Sequence, residues 1–202
     1  AQRVDVRARV HLGAGPGGLL GGLVPGSAHR HPRPGQSRRG HVALVGGHLH
    51  GLVLTLLLLH AAASGVGTAA IQLAKDAGAS IAATVRSAAK AAPLEALGAD
   101  LVVDTTARDF AEAVEERYGK SSVGLVLDPV GGVNLARNVR VMARCGRLVL
   151  IATMGGGSAE LDLRAVLTKR LRLVGSTLRA RALAEKVDLT SAFVRDVFPG
   201  FS

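Results

Sequence analysis

The sequence predicts an α/β fold over residues 51–202: a doubly wound, parallel, six-stranded sheet, preceded over residues 1–50 by an irregular low-complexity leader. Three observations carry the prediction. Apolar runs of strand length alternate six times with helical patterns. The runs are near-continuous in apolar residues, as in strands covered on both faces. The connections are long enough for helical crossovers, and right-handed crossovers wind such strands into one sheet. The chain has 202 residues, 48% of them hydrophobic, so a sizeable core is possible. Aromatics are only 2%, so that core is built from Ala, Val, Leu and Ile.

The elements follow in order. Leu52–Ala61 (LVLTLLLLHA) reads as the first strand, and a helix follows from about Gly65 to Ala77. Ser80–Arg86 (SIAATVR) is the second strand, with a helix in SAAKAAPLEALG after it. Leu101–Thr105 is the third, followed by a helix in ARDFAEAVEERYG. Val123–Val130 is the fourth, and GGVNLARNVRVMARC predicts a helix running to Cys145. Gly146–Met154 is the fifth, followed by a loop and the helix LDLRAVLTK. Arg170–Leu178 is the sixth, and a last helix lies near Ala182–Val197.

The leader obeys different rules. Gly-Pro-Gly-Gly, Pro-Gly and Pro-Arg-Pro-Gly punctuate it, and no period persists. The net charge is +10, but residues 1–60 hold seven Arg, no Lys and one acid, Asp5. The remaining 142 residues hold 18 bases and 14 acids, an ordinary balance, so the excess charge reports the leader. Nucleic-acid binding is disfavoured because the leader offers no aromatic residue for base stacking. His29, His31, His41, His48 and His50 sit among turn residues without a fixed framework, so no metal site is assigned. The apolar stretch Leu52–Leu59 is too short for a membrane span of about 20 residues, and no signal peptide is legible. A single cysteine, Cys145, gives no disulfide framework and is consistent with the cytoplasm.

The junction after the first strand, HAAASGVGTAAIQLAK, places very small residues where strand passes into helix. In a doubly wound sheet this turn lies at the switch point, where dinucleotides bind. The fingerprint there is G-x-G-x-x-G, and the six positions read Ala62-Ala63-Ser64-Gly65-Val66-Gly67. Only the third glycine is in register, with Gly65 beside the second. Taken alone, the turn fits close helix packing as well as a phosphate resting on Ser64, Gly65, Val66 and Gly67. The second strand tips the balance. An NAD site carries Asp or Glu at that strand's end, about 20 residues on, to hold the ribose 2′-hydroxyl. Here stand Arg86, Ser87 and then Lys90, which suit a 2′-phosphate through charge-assisted hydrogen bonds. The expected cofactor is NADPH.

These residues in order resemble the zinc-independent NADPH:quinone oxidoreductases, the zeta-crystallin-like branch of the medium-chain dehydrogenase/reductase superfamily. HAAASGVGTAAIQLAKDAGA is similar to that family's nucleotide turn and ATVRSAAK to its 2′-phosphate loop. LVLDPVGG, RCGRLVLIATMGGG and KRLRLVGSTLRAR are similar to its fourth, fifth and sixth strand segments. The resemblance covers residues from about 55 to 202 and implies a Rossmann cofactor domain. It also implies that Thr153, Met154 and Gly155 line the nicotinamide half of the site, with Ser176, Thr177 and Leu178 close by. Thr105 stands where the family commonly has a tyrosine. Residues 1–50 do not resemble the GroES-like domain that family members carry, and the final catalytic-domain stretch is not found after Ser202. The expectation is a cofactor-binding part, inactive alone, with a small quinone or enone as acceptor and a possible homodimer.

No catalytic residue is nominated. Hydride transfer is the cofactor's own chemistry. Cys145 reads as a small buried residue at a helix end. Asp128, before Pro-Val-Gly-Gly, reads as organising a turn, and Tyr118 as structural. Two function classes stay open: an NADPH-dependent quinone or enone reductase, or a non-catalytic NADPH-binding module or partner subunit. A methyltransferase is disfavoured because its ribose carboxylate would stand where Arg86 does.

Overall fold

A computed structural model of the chain describes residues 56–201. The leader, and Leu52–Thr55 of the first predicted strand, lie outside the described residues. Six strands and six α-helices alternate: β1 (Leu56–Leu59), α1 (Gly65–Asp76), β2 (Ser80–Val85), α2 (Ala91–Ala96), β3 (Leu101–Asp104), α3 (Phe110–Tyr118), β4 (Val123–Asp128), α4 (Leu135–Val141), β5 (Met142–Leu150), α5 (Leu163–Lys169), β6 (Arg172–Gly175) and α6 (Leu183–Asp196). All strand pairs are parallel, and the order across the sheet is β3-β2-β1-β4-β5-β6. This is the doubly wound Rossmann order, with its reversal between β1 and β4.

The four leucines of β1 explain why the strand reads as continuous rather than alternating. All four are buried. Successive side chains point to opposite faces of a strand, so each face receives two of them. Leu56 and Leu58 join Phe110, Val114, Val126 and Leu148 in one core. Leu57 and Leu59 join Ile71, Ile81, Val85 and Leu94 in the other. Full burial of such a side chain contributes about 1.5–3 kcal/mol, so the central strand anchors both layers.

The predicted fourth helix is shorter than its sequence pattern. It ends at Val141, and the backbone is extended from Met142. The ladder with β4 pairs Val123 with Met142, then shifts so that Leu125 pairs with Arg147. The extra residues bulge, and Cys145 takes φ +61°. Cys145 is therefore half-buried inside an irregular strand, not small-residue packing at a helix end. The apolar spacing of Val139, Val141 and Met142 hid the boundary, because all three are buried.

Candidate functional site

The chain leaves β1 through a tight turn. His60 N donates to Leu127 O (3.1 Å) and Ala62 N to Thr84 O (3.0 Å), so the turn is tied to both neighbouring strands. Ala61 adopts φ 49°. Ser64 is the N-cap of α1, its Oγ accepting from Gly67 N at 3.1 Å. The helical ladder begins with Thr68 N donating to Ser64 O (2.9 Å), so the amides of Gly65 and Val66 precede it. No acidic residue occupies the first turn. The positive end of the helix dipole is thus left for an anion. Gly67 is required by close approach: a Cβ there would lie 2.3 Å from Ala62 O. Gly65 differs, since nothing lies within 4 Å of its ideal Cβ.

A cleft of about 660 Å³ opens beside this turn, at the carboxyl ends of β1, β2 and β4. Ala61, Ala63 and Ser64 form one wall. The exit of β2 supplies Thr84, Val85, Arg86 and Lys90, and Thr105 follows from β3. The β4–α4 segment supplies Val130, Val133, Asn134 and Arg137, and Met154 and Gly155 come from beyond β5. Arg86 and Lys90 are exposed, and neither has an ion pair among the described residues. The nearby Asp104 carboxylate is turned to Thr106, accepting from its amide (3.0 Å) and hydroxyl (2.7 Å). Those two bonds hold the Asp104 carboxyl below its usual range.

The loops after β4 and β5 interlock. Met154 N donates to Pro129 O (3.2 Å), Gly155 N to Val130 O (2.7 Å) and Gly132 N to Gly156 O (2.9 Å). A Cβ on Gly155 would come within 2.7 Å of Val130 Cγ1, so only glycine lets the two loops meet this closely.

Of the residues singled out in the sequence, Ser64, Arg86, Lys90, Met154 and Gly155 line this one cleft. Gly65, Val66 and Gly67 open the helix beside it. Ser87 precedes the short 3-10 turn Ala88–Lys90, between Arg86 and Lys90. Thr153 immediately precedes Met154. Ser176, Thr177 and Leu178 follow the edge strand β6 and are not among the lining residues; Ser176 N donates to Leu150 O (2.8 Å), and Leu178 is exposed. Thr105 Oγ1 donates to Val85 O (3.0 Å), fixing β3 against β2 at the cleft edge.

Sequence reasoning missed a buried polar network behind the cleft. Asp128 does organise its turn, Oδ1 accepting from Val130 N (2.6 Å) and Gly131 N (2.9 Å). Its Oδ2 accepts from Asn138 Nδ2 at 2.8 Å. A carboxylate can only accept, so the Asn138 amide orientation is set, and Asn138 Oδ1 faces His60 Nε2 at 2.7 Å. His60 Nε2 therefore carries the proton, and Nδ1 accepts from Thr84 Oγ1 at 3.0 Å. His60, Asp128 and Asn138 are all buried. Burial pushes the His60 pKa below its ordinary 6.5, against the opposing pull of Asn138 and Asp128. The network ties β1, β2, β4 and α4 together under the cleft. Its members are 24, 78 and 10 residues apart in pairs, so no local pattern signals it.

Residues 65–192 match the family described as zinc-binding dehydrogenase. Quinone oxidoreductase 1 of Escherichia coli is 35% identical over 106 residues, 52% of this chain and 32% of that protein. A phenolphthiocerol/phthiocerol polyketide synthase component of Mycobacterium tuberculosis is 38% identical over 93 residues, 46% of this chain and 4% of that protein. The crystal structure of Escherichia coli quinone oxidoreductase complexed with NADPH superposes with a TM-score of 0.61 at 30% identity, covering 70% of this chain and 44% of that one. The chain thus spans about a third of that reductase's length and a small segment of the synthase. Among the described residues no three His, Cys, Asp or Glu side chains converge as a group that could hold a metal ion. No helix among them is long and apolar enough to cross a membrane.

Proposed function

This chain belongs to the zinc-binding dehydrogenase family, as a quinone oxidoreductase-like Rossmann part of the medium-chain dehydrogenase/reductase superfamily, and from that premise we propose that it binds NADPH for zinc-independent hydride transfer to a small quinone or enone. The observation that carries the proposal is the pair of cations at the end of β2, Arg86 and Lys90, neither of which has an ion pair among the described residues. They share one cleft with the start of α1, which no acidic residue occupies. A dinucleotide's pyrophosphate suits the amides of Gly65 and Val66, and a 2′-phosphate suits Arg86, Ser87 and Lys90. Gly67 fits the same ligand, since its missing Cβ keeps helix and turn in contact below the phosphates.

When bound, the nicotinamide supplies the hydride. The chain's own residues bind and orient: the α1 amides hold charge, the basic residues select the phosphate, and the Met154–Gly155 loop forms the cleft's far side. All described walls of the cleft come from this one unit. Acceptor positioning can lower a barrier by about 7–11 kcal/mol, and we propose that this chain alone supplies little of it and reduces quinones negligibly. A soluble cytoplasmic setting and a possible homodimer remain parts of the same proposal.

Calorimetric titration tests it. Charged hydrogen bonds contribute roughly 1.5–3 kcal/mol each, less where solvent screens them, so NADPH should bind at least about tenfold more tightly than NADH. Arg86→Ala with Lys90→Ala should remove most of that preference. Equal affinity of the wild type for both cofactors overturns the assignment. A second reading, favoured by the polyketide synthase match, makes the unit a reductase domain of a larger synthase. Faster NADPH oxidation with a quinone than with an enone would exclude it. NADPH binding without turnover on either is the outcome expected of this chain alone and agrees equally with the non-catalytic module.

A further inference from the structure

The proposed site uses Arg86 and Lys90 for charge, but a third cation on the cleft wall is held quite differently. Arg137, on α4, lines the cleft. Its Nη1 donates to Asp109 Oδ2 at 3.2 Å, and its Nη2 donates to Val133 O at 2.9 Å and Asn134 Oδ1 at 3.2 Å. Its Cζ sits 5.0 Å from the centroid of the Phe110 ring, which is fully buried. Asp109 is fixed in turn, because its Oδ1 caps α3 by accepting from Ala111 N (2.8 Å) and Glu112 N (3.1 Å). Arg137 is therefore not a mobile arm. It is a flat group pinned along its edge, backed by an aromatic ring, with its charge already answered by a carboxylate.

A paired, immobilised guanidinium is poorly suited to capture another anion. What it retains is a planar, weakly hydrated face, and such faces stack on aromatic rings. Around it the cleft is walled by Val85, Val130, Val133 and Thr105, small apolar or weakly polar groups that suit a flat heterocycle. We infer that Arg137 is the stacking plate for the purine base of the bound dinucleotide, a positioning residue that acts through its plane and not its charge. This rests on the NADPH proposal. It assigns the adenosine half to the wall between β2, β3 and α4, and leaves anion recognition to α1 and the β2 exit.

The test separates plane from charge. NADPH binding is titrated to the full chain and to Arg137→Ala, Arg137→Lys and Arg137→Met, alongside Arg86→Ala. Reduced nicotinamide mononucleotide, which lacks the adenosine half, serves as second probe. Thermal melts confirm that each variant is folded, and Arg137→Met and Arg137→Lys keep the aliphatic stem over Phe110 should the alanine variant unfold. The expected result is a fivefold to tenfold weaker affinity for NADPH in Arg137→Lys as well as in Arg137→Met. Mononucleotide affinity should be unchanged. The loss should also be the same at about 50 mM and 500 mM salt, whereas the loss in Arg86→Ala shrinks as salt screens it. Wild-type affinity in Arg137→Lys, or a loss that disappears in high salt, overturns the inference while the NADPH assignment stands. Failure of the wild type to bind NADPH overturns the assignment and the inference with it.

Discussion

Helices α1 and α6 have similar lengths, twelve and fourteen residues, and both carry apolar side chains at helical spacing. Their fates in the fold differ. α1 buries Gly67, Ile71 and Ala74 and begins on a serine cap. α6 buries none of its residues and begins at Ala182, which makes no side-chain cap bond. Leu183, Val187 and Val194 lie on α6 at 77%, 55% and 54% exposure, whereas Ile71 is fully buried. The strands that feed them explain the difference. β1 runs through the middle of the sheet and is buried throughout, while β6 is an edge strand with only Leu173 partly covered. Helical periodicity states which face is apolar; the strand order decides what that face meets. The candidate site grew on the central side, where the turn after β1 is clamped by two neighbours.

The sharpest way to break this comparison is at the turn itself. Gly67→Val drives a branched side chain into the Ala62 carbonyl, only 2.3 Å from the would-be Cβ. We expect a loss of about 4 kcal/mol or more in urea unfolding, with NADPH binding abolished. Gly65→Ala, where the space is open, should leave stability within about 0.5 kcal/mol. Equal tolerance at the two glycines would mean that the turn is not packed as described. The next contrast is between the helix faces. Ile71→Ala should cost about 2–4 kcal/mol, and Val187→Ala less than about 0.5 kcal/mol. Comparable losses would show that α6 is held as firmly as α1.

The two halves were also unequally legible. Six strands and their helices could be placed from apolar runs and turn residues, because each strand is local and the central strands β1 and β2 are buried almost throughout. The basic residues Arg86 and Lys90 could be placed in the cleft because the end of β2 fixes where the next few residues lie. The end of α4 could not, since Val141 and Met142 are buried whether the backbone is helical or extended. Nothing in the sequence marks Arg137, because its anchoring to Asp109 and Phe110 is a tertiary event. His60 stands in sequence as the last of seven histidines within residues 1–60, yet in the fold it is the keystone between Thr84 and Asn138.

That keystone gives the central half a pH dependence just below neutrality. His60 is buried, and its folded pKa lies below the ordinary 6.5. Its contribution is complete above about pH 6.5 and is lost as pH falls toward the folded value, because only the unfolded chain then takes up the proton. Stability should therefore fall as the pH is taken from about 7.5 to about 5.5. The ordinary carboxylate value, near 4, lies below that window. His60→Gln keeps a donor toward Asn138 and should flatten this slope in urea titrations. An unchanged slope in the variant would assign the pH dependence to other groups.

The smallest expected effects concern the helix starts, and they probe whether local order and global stability are coupled differently in the two halves. Ser64→Ala removes the acceptor for Gly67 N in a helix that is part of the core. A lost cap of this kind costs about 1 kcal/mol, and because α1 unfolds with the sheet, the whole of it should appear in the global transition. Ala182→Ser does the reverse. The backbone there, φ −58° and ψ 151°, already suits an N-cap, and Glu185 in the first turn stands where a capping box places its acid. The new hydroxyl should strengthen α6 by several tenths of a kcal/mol locally. A helix with no buried residue can open without the core opening, so that gain should slow amide exchange along α6 a fewfold and leave the global midpoint unmoved. A raised midpoint in Ala182→Ser would show that α6 unfolds together with the sheet, and the contrast between the two helices would then be one of exposure alone, not of cooperativity.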